Sequence, residues 1–197
     1  MRLTLVVTLI LTSIAFLCSC ATSPKVAYGD AQAVETTTAD FGSTDLQGIA
    51  EKMVDSLLLA PFIGSDRPVF FVSRIKNKTS EHIDTEAITD TVRTKLLKSG
   101  KVRFTATTDI GDEILNQLEY QTGTGLVDPS TGINYGRQIG ARYALYGAIT
   151  SIVKTAKKTK DVYYKFTLNC ADLETGIIEW AEEKEIRKTA KRGSAGW

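Results

Sequence analysis

Three strand-forming runs lie nearly end to end in the last third of the chain: Tyr143–Lys154, Val162–Leu173 and Ile177 to about Ile186. Only Lys157-Lys158-Thr159-Lys160 and Glu174-Thr175-Gly176 separate them. Connections that short cannot cross a sheet, so neighbouring runs must pair antiparallel, as a meander. In the middle run Val162, Tyr164, Phe166, Leu168 and Cys170 alternate with polar partners, which assigns one face to a core. Cys170 is in phase with that face and reads as a small core residue, in preference to a reactive thiol. The third run degrades into Glu182, Glu183, Lys184 and Glu185, a charged edge that resists further pairing. Lys188 to Trp197 reads as a frayed tail.

The upstream segments supply what covers the meander. Leu46, Ile49, Ala50, Met53, Val54, Leu57 and Leu58 recur at three- and four-residue spacing, with Thr44 available as an N-cap and Pro61 as a stop. Pro68–Arg74 is an unbroken β-forming run, expected to be a strand buried on both faces. Ile75–His82 reads as a polar loop. A second helix starts at Asp84 or Thr85, carries Ile88, Val92, Leu96 and Leu97 inward, and ends at Gly100. Val102–Thr105 is a short strand. A third helix opens at Thr108 or Asp109 with Ile110, Ile114, Leu115 and Leu118. Asp128-Pro129 predicts a fourth helix through Ile139, weakened by Gly132 and Gly136 and closed by Gly140. The fold class is therefore α/β (α+β). A single domain is expected, with a mixed β-sheet ending in the three-stranded antiparallel meander and about four packed helices.

The N-terminus is of another kind. Arg2 precedes an apolar run from Leu3 to Leu17, and Leu17-Cys18-Ser19-Cys20 closes it. The run is too short for a permanent span, which needs about 20 residues, and fits a cleaved leader. Its end resembles the bacterial lipobox, which makes Cys20 the expected lipid attachment site, with a diacylglycerol and an N-acyl chain. Several chains hold a protein stably where one does not, at about 0.8 kcal/mol per buried CH₂. Ala21 follows in place of the Asp that marks inner-membrane retention, so sorting to the outer membrane is expected. Ala21–Ser43 is rich in Ala, Thr, Gly, Asp and Ser without apolar periodicity and reads as a flexible tether averaging roughly 25–30 Å end to end. The expected organisation is 1–19 leader, 20–43 lipidated Cys and tether, 44–188 globular domain and 189–197 tail.

Charge and chemistry narrow the function by exclusion. Arg2 is one of 24 basic residues, and without it the basic and acidic side chains balance. A neutral domain is a poor nucleic-acid binder. His82, the one histidine, sits in a polar loop beside Glu81 and Asp84, so neither a metal site nor a Ser-His-Asp arrangement can be assembled. Gly123-Thr-Gly125 lacks the remainder of any phosphate-binding fingerprint. Lys154, Lys157, Lys158 and Lys160 form a basic turn, either a solvated hairpin tip or a contact for lipid head groups or an acidic partner. No catalytic residues, metal or cofactor beyond the covalent lipid are expected. Binding is the expected role.

Three segments carry a family resemblance: Pro68-Val-Phe-Phe-Val-Ser-Arg74 followed by Asn77-Lys-Thr79, then Ile139-Gly-Ala-Arg-Tyr-Ala-Leu-Tyr146-Gly, then Asp172-Leu-Glu-Thr-Gly-Ile-Ile-Glu-Trp180. From about Pro68 to Ile186 the chain resembles the LpoB family, and the lipobox fits. The CsgG and TolB N-terminal domains share a similar sheet, so the fold is expected to be TolB N-terminal-domain-like. The resemblance implies an outer-membrane lipoprotein, its domain facing the periplasm, that binds and activates a class A penicillin-binding protein and so regulates peptidoglycan synthesis. No nucleic acid or small-molecule substrate is implied. A CsgG-like secretion or pore lipoprotein and a periplasmic ligand-binding lipoprotein remain as alternatives. For partner contact the candidates are Tyr146, on a strand face of small mixed residues, and the turn residues Thr175, Gly176 and Ile177. Packing of Tyr146 beneath a helix is the competing reading. The tether is short for a family whose members commonly have long ones.

Overall fold

The computed structural model describes residues 27–106, 108–133 and 136–191. The leader expected over 1–19, the lipid site Cys20 and the end of the tail from 192 lie outside them. Two units divide the chain, meeting at Ala33 and Val34. In the described part of the first, a turn forms in which Asp30 Oδ1 accepts from the Gln32 amide at 2.9 Å. Among the described residues the second unit holds three helices and six strands.

Helix α1 spans Ser43–Leu58 and buries Ile49, Ala50, Met53, Val54 and Leu57. Its N-cap is Gly42 and not Thr44. Asp45, in the first turn, reaches back to accept from the Gly42 amide at 2.9 Å. Thr44 Oγ1 instead accepts from the Glu35 amide at 2.8 Å. Strand β1 (Val69–Val72) follows Pro68, and β2 (Lys76–Lys78) lies inside the segment expected to be a loop. No alternation marks β2, because three exposed polar residues need no buried face. Buried Ile75 and Ile83 bracket its segment. Helix α2 (Thr85–Lys98) is capped as expected: Asp84 Oδ1 accepts from the amides of Glu86 and Ala87. Ile88, Val92 and Leu96 face the core. Leu97 does not, at 46% exposed, since the next residue lies about 100° round the helix.

Strand β3 is short (Arg103–Phe104), and helix α3 covers Thr108–Gly123. The fourth helix is absent among the described residues. Asp128 Oδ1 accepts from the Ser130 amide and hydroxyl, both at 2.8 Å, and the Thr131 amide bonds the Asp128 carbonyl. Proline and an Asx turn thus give a single turn. Gly132 and Gly136 follow where a helix would need good formers. Strands β4 (Tyr143–Ala156), β5 (Thr159–Asp172) and β6 (Ile178–Lys191) form the expected meander, with 14 residues in each. β6 continues past Ile186 to Lys191, so the expected tail is sheet up to that point.

The strand order is β3-β1-β4-β5-β6, with β2 beside β4 beyond the end of β1. The β1–β3, β1–β4 and β2–β4 pairs are parallel; the meander is antiparallel. Helices α1 and α2 pack together on one face, and α1 also covers β6. Trp180 Nε1 donates to Ser56 Oγ at 3.1 Å, and Lys52 meets Glu182 at 3.3 Å. Beneath the helices lie Tyr143, Leu145, Ile149, Val162, Tyr164, Phe166, Leu168 and Cys170. Burial pushes the Cys170 thiol up to about 12, so it is the inert core residue its phase indicated. In β1 only Phe70 is wholly enclosed. Phe71 is half-buried, which corrects the expectation of a strand buried on both faces.

The tether expected to run to Ser43 is also shorter. Ala39 is buried, and Phe41 packs edge-on against Tyr164 at 5.9 Å between ring centroids. Tyr164 Oη donates to Glu81 Oε1 at 2.6 Å, while Glu81 Oε2 accepts from the Phe41 amide at 3.1 Å. Burial, with the Glu81 carboxylate next, drives the Tyr164 phenol far above its ordinary pKa. Asp40 pairs with Lys160. Lys188 Nζ donates to the Asp40 carbonyl at 2.6 Å and to Asp45 Oδ2 at 2.9 Å. These contacts make residues 39–42 part of the domain, by means of two apolar side chains and a polar clasp that composition does not register.

Candidate functional site

Alternation along β4, β5 and β6 sends every other side chain to the face that α1 and α2 leave uncovered. Cross-strand register arranges them in rows. At one end stands Phe71–Ala144–Ala171–Ile178. The next row is Tyr146–Asn169–Ala181, followed by Ala148–Thr167–Glu183. Further on the face is charged and self-satisfied: Lys165 meets Glu183 at 2.5 Å, Tyr163 Oη donates to Glu185 at 2.5 Å, and Arg187 clasps Asp161 at 2.6 Å. The face therefore grades from apolar to ionic within a few residues.

Beyond the apolar end lies the β5–β6 turn, built on Asp172. This carboxylate is 2% exposed. Oδ1 accepts from the amides of Glu174 (2.8 Å) and Thr175 (3.1 Å), and Oδ2 accepts from Arg142 Nε at 3.1 Å. The Thr175 amide first, then the Glu174 amide and the Arg142 guanidinium, hold its pKa below the usual carboxylate range. Arg142 also stacks over the Tyr143 ring at 5.4 Å. Gly176 closes the turn at φ +73, a conformation open to glycine at no steric cost. A rigid turn thus presents Leu173, Ile177 and Ile178, each more than half exposed.

Tyr146 lies three residues along β4 from Tyr143, the partner of Asp172, or about 10 Å from the turn. It is half-buried on the uncovered face, which excludes packing beneath α1 or α2. Tyr146 and the exposed Thr175, Gly176 and Ile177 are therefore gathered at one end of the sheet. Sequence reasoning missed Ile178, Leu173 and the support given by Asp172 and Arg142. The doubled Ile177-Ile178 after a glycine turn was the available signal. Also missed was a groove of about 610 Å³ between β1–β3 and α3, lined by Val69, Phe71, Phe104, Ile114, Leu115 and Ile139. It exists because α3 lies loosely: Leu118 is buried, but Ile110 and Leu115 are half exposed.

Gly147 sits behind this surface. A Cβ there would stand 2.1 Å from the Thr167 carbonyl oxygen, so only glycine allows β4 and β5 to pair at this point. His82 is exposed in its loop. Among the described residues, no group of three His, Cys, Asp or Glu side chains could hold a metal ion. The arrangement gathers exposed aliphatic side chains and an aromatic ring at one end of the sheet.

A family model described as peptidoglycan-synthase activator LpoB matches residues 45–186. The chain belongs to the LpoB family. Its match contains Tyr146 and the β5–β6 turn. Among solved structures, the LpoB C-terminal domain from Escherichia coli is 20% identical with a TM-score of 0.47, covering 72% of this chain and 98% of that one. The corresponding Salmonella enterica domain is 19% identical with a TM-score of 0.46, covering 73% and 99%. The NMR structure of Escherichia coli LpoB is 19% identical with a TM-score of 0.43, covering 89% and 87%. A search of curated protein sequences returned no significant match. Among the described residues, no helix is long and apolar enough to cross a membrane.

Proposed function

We propose that this chain is an outer-membrane lipoprotein, acylated at Cys20, whose periplasmic domain binds and activates a bifunctional class A penicillin-binding protein. The family match over 45–186 carries this reading. Tyr146 and the Thr175–Ile178 turn make the contact, and the ionic half of the face stays in water. An aromatic anchor among small residues, ringed by exposed aliphatics, is the composition that concentrates binding energy in an interface. Activation then follows from differential affinity: the lipoprotein binds the active conformation of the synthase more tightly and raises its population.

The placement of the contact answers the short tether. Residues 39–42 join the sheet beside Lys160 and Tyr164, near the β4–β5 hairpin, while the turn closes the opposite end of β5. The 14 residues of β5 span about 43 Å. A domain held at the hairpin end thus carries its contact surface that much further from the anchor.

The test uses the full-length chain and a class A synthase from the same organism. Binding, with faster glycan polymerisation from lipid II, is the expected result. Absence of binding to every such synthase of that organism overturns the reading.

A further inference from the structure

Among the described residues Lys154, Lys157 and Lys158 at the β4–β5 hairpin tip form no ion pair, although Lys154 faces Asp161 across the strand pair and acts on it through its charge. All three are exposed, and Lys191 ends the neighbouring strand opposite Thr159. The acids nearby are engaged: Asp40 by Lys160, and Asp161 by Arg187 and Thr189. Beside the lysines, Ile152 and Val153 are exposed on opposite faces of β4, past the reach of α1 and α2. Lys157 holds φ +48, a backbone conformation that glycine or asparagine adopts more readily. The first position of a two-residue hairpin turn takes such a positive φ, and here a charged side chain fills it.

The same tip is where the chain joins the domain, through Asp40, Phe41, Lys160 and Lys188. From Cys20 to Val34 the backbone reaches at most about 50 Å. We infer that the hairpin tip rests on an anionic lipid surface, with Lys154, Lys157, Lys158 and Lys191 at the head groups and Ile152 and Val153 at their margin. Clustered lysines beside exposed aliphatics are what such a surface binds, and the attraction falls away within a Debye length. The contact stands the sheet on its hairpin end and points the Thr175–Ile178 turn away from the membrane. This inference rests on the anchor at Cys20 and not on the identity of the synthase.

The test reconstitutes the full-length lipoprotein into phosphatidylcholine vesicles with and without phosphatidylglycerol. Intact mass reads the anchor, and amine acylation reads each lysine. With phosphatidylglycerol present, Lys154, Lys157 and Lys158 should label several-fold more slowly, and high salt should restore the rate. Lys98 and Lys101, close to β3 at the opposite end, should label equally in both vesicles. Replacing the three tip lysines by glutamate should abolish protection of Lys191. Equal labelling of the tip in both vesicles, with the lipid present by mass, overturns the inference. A mass without lipid overturns the anchor instead, whatever the footprint.

Discussion

The two ends of the long β-sheet meet opposite demands. At the hairpin end the chain is gripped: Lys188 bridges the Asp40 carbonyl and Asp45, Lys160 holds Asp40, and Tyr164 and the Phe41 amide share Glu81. The polar groups there are spent inside the molecule, and exposed lysines project beyond them. At the turn end Asp172 and Arg142 hold a loop whose apolar side chains face outward. One end is held by polar contacts, and the other, in the proposed reading, makes the contact. A flexible leash confers reach without direction, whereas a rigid sheet between two specialised ends confers both.

The two ends are joined by a continuous sheet, and Gly147 is the position at which a single methyl group would disrupt it. Gly147→Ala places a methyl group against the Thr167 carbonyl and should cost about 3 kcal/mol or more in urea unfolding. Hydrogen exchange should then rise at residues 34–42 and 172–178 alike. Loss confined to one end would show that the ends fold independently.

Lys188→Met separates the ends. It leaves Asp45, 6% exposed, without its ammonium partner, and losing a buried hydrogen-bond partner of this kind costs about 2–3 kcal/mol. Exchange should rise over residues 34–45 only, with synthase affinity unchanged. Tyr146→Ala should do the reverse: affinity for the synthase falls about tenfold or more while the unfolding midpoint barely moves. If Tyr146→Ala leaves affinity intact, the contact surface has been misplaced.

These variants also mark where the sequence was legible. Period-two alternation fixed the meander and assigned Cys170 to the core, because β5 is buried on one face along its length. The start of α2 was readable to Asp84 or Thr85, and Asp84 is the cap. Missed features share a cause: they depend on contacts distant in sequence. β2 pairs with β4 some seventy residues on, as β-structure without an apolar signature. The clasp on residues 39–42 needs Lys160, Tyr164 and Lys188, so the segment alone reads as linker. The fourth helix failed through over-reading of Asp-Pro, which starts a turn as readily as a helix. For the site, Tyr146 and the turn were visible as residues. Their common end of the sheet became visible only through the Tyr143–Asp172 register, and the groove depends on how loosely α3 lies.

The smallest expected effect tests whether the two ends differ in rigidity as well as role. Asp172 and Asp161 both titrate below the usual carboxylate range, the first through the backbone amides of its turn, the second through Arg187. A depressed folded-state pKa adds stability that is complete above the unfolded value, near pH 3.9, and disappears as pH falls through the folded value. Both ends therefore weaken in acid below about pH 4 and neither changes between pH 5 and 8. The carboxylates are not equivalent, however. The Asp172 side chain is 3% exposed and Asp161 is 21% exposed, so water compensates the loss at Asp161 more readily. Asp172→Asn should flatten the acid limb of the stability curve measurably, and Asp161→Asn should flatten it less. NMR titration of the carboxyls should place both midpoints below pH 3.9. Equal flattening would mean that the contact end is no stiffer than the ionic face, and that the turn presents Ile177 and Ile178 by chance of sequence and not by the hold of Asp172.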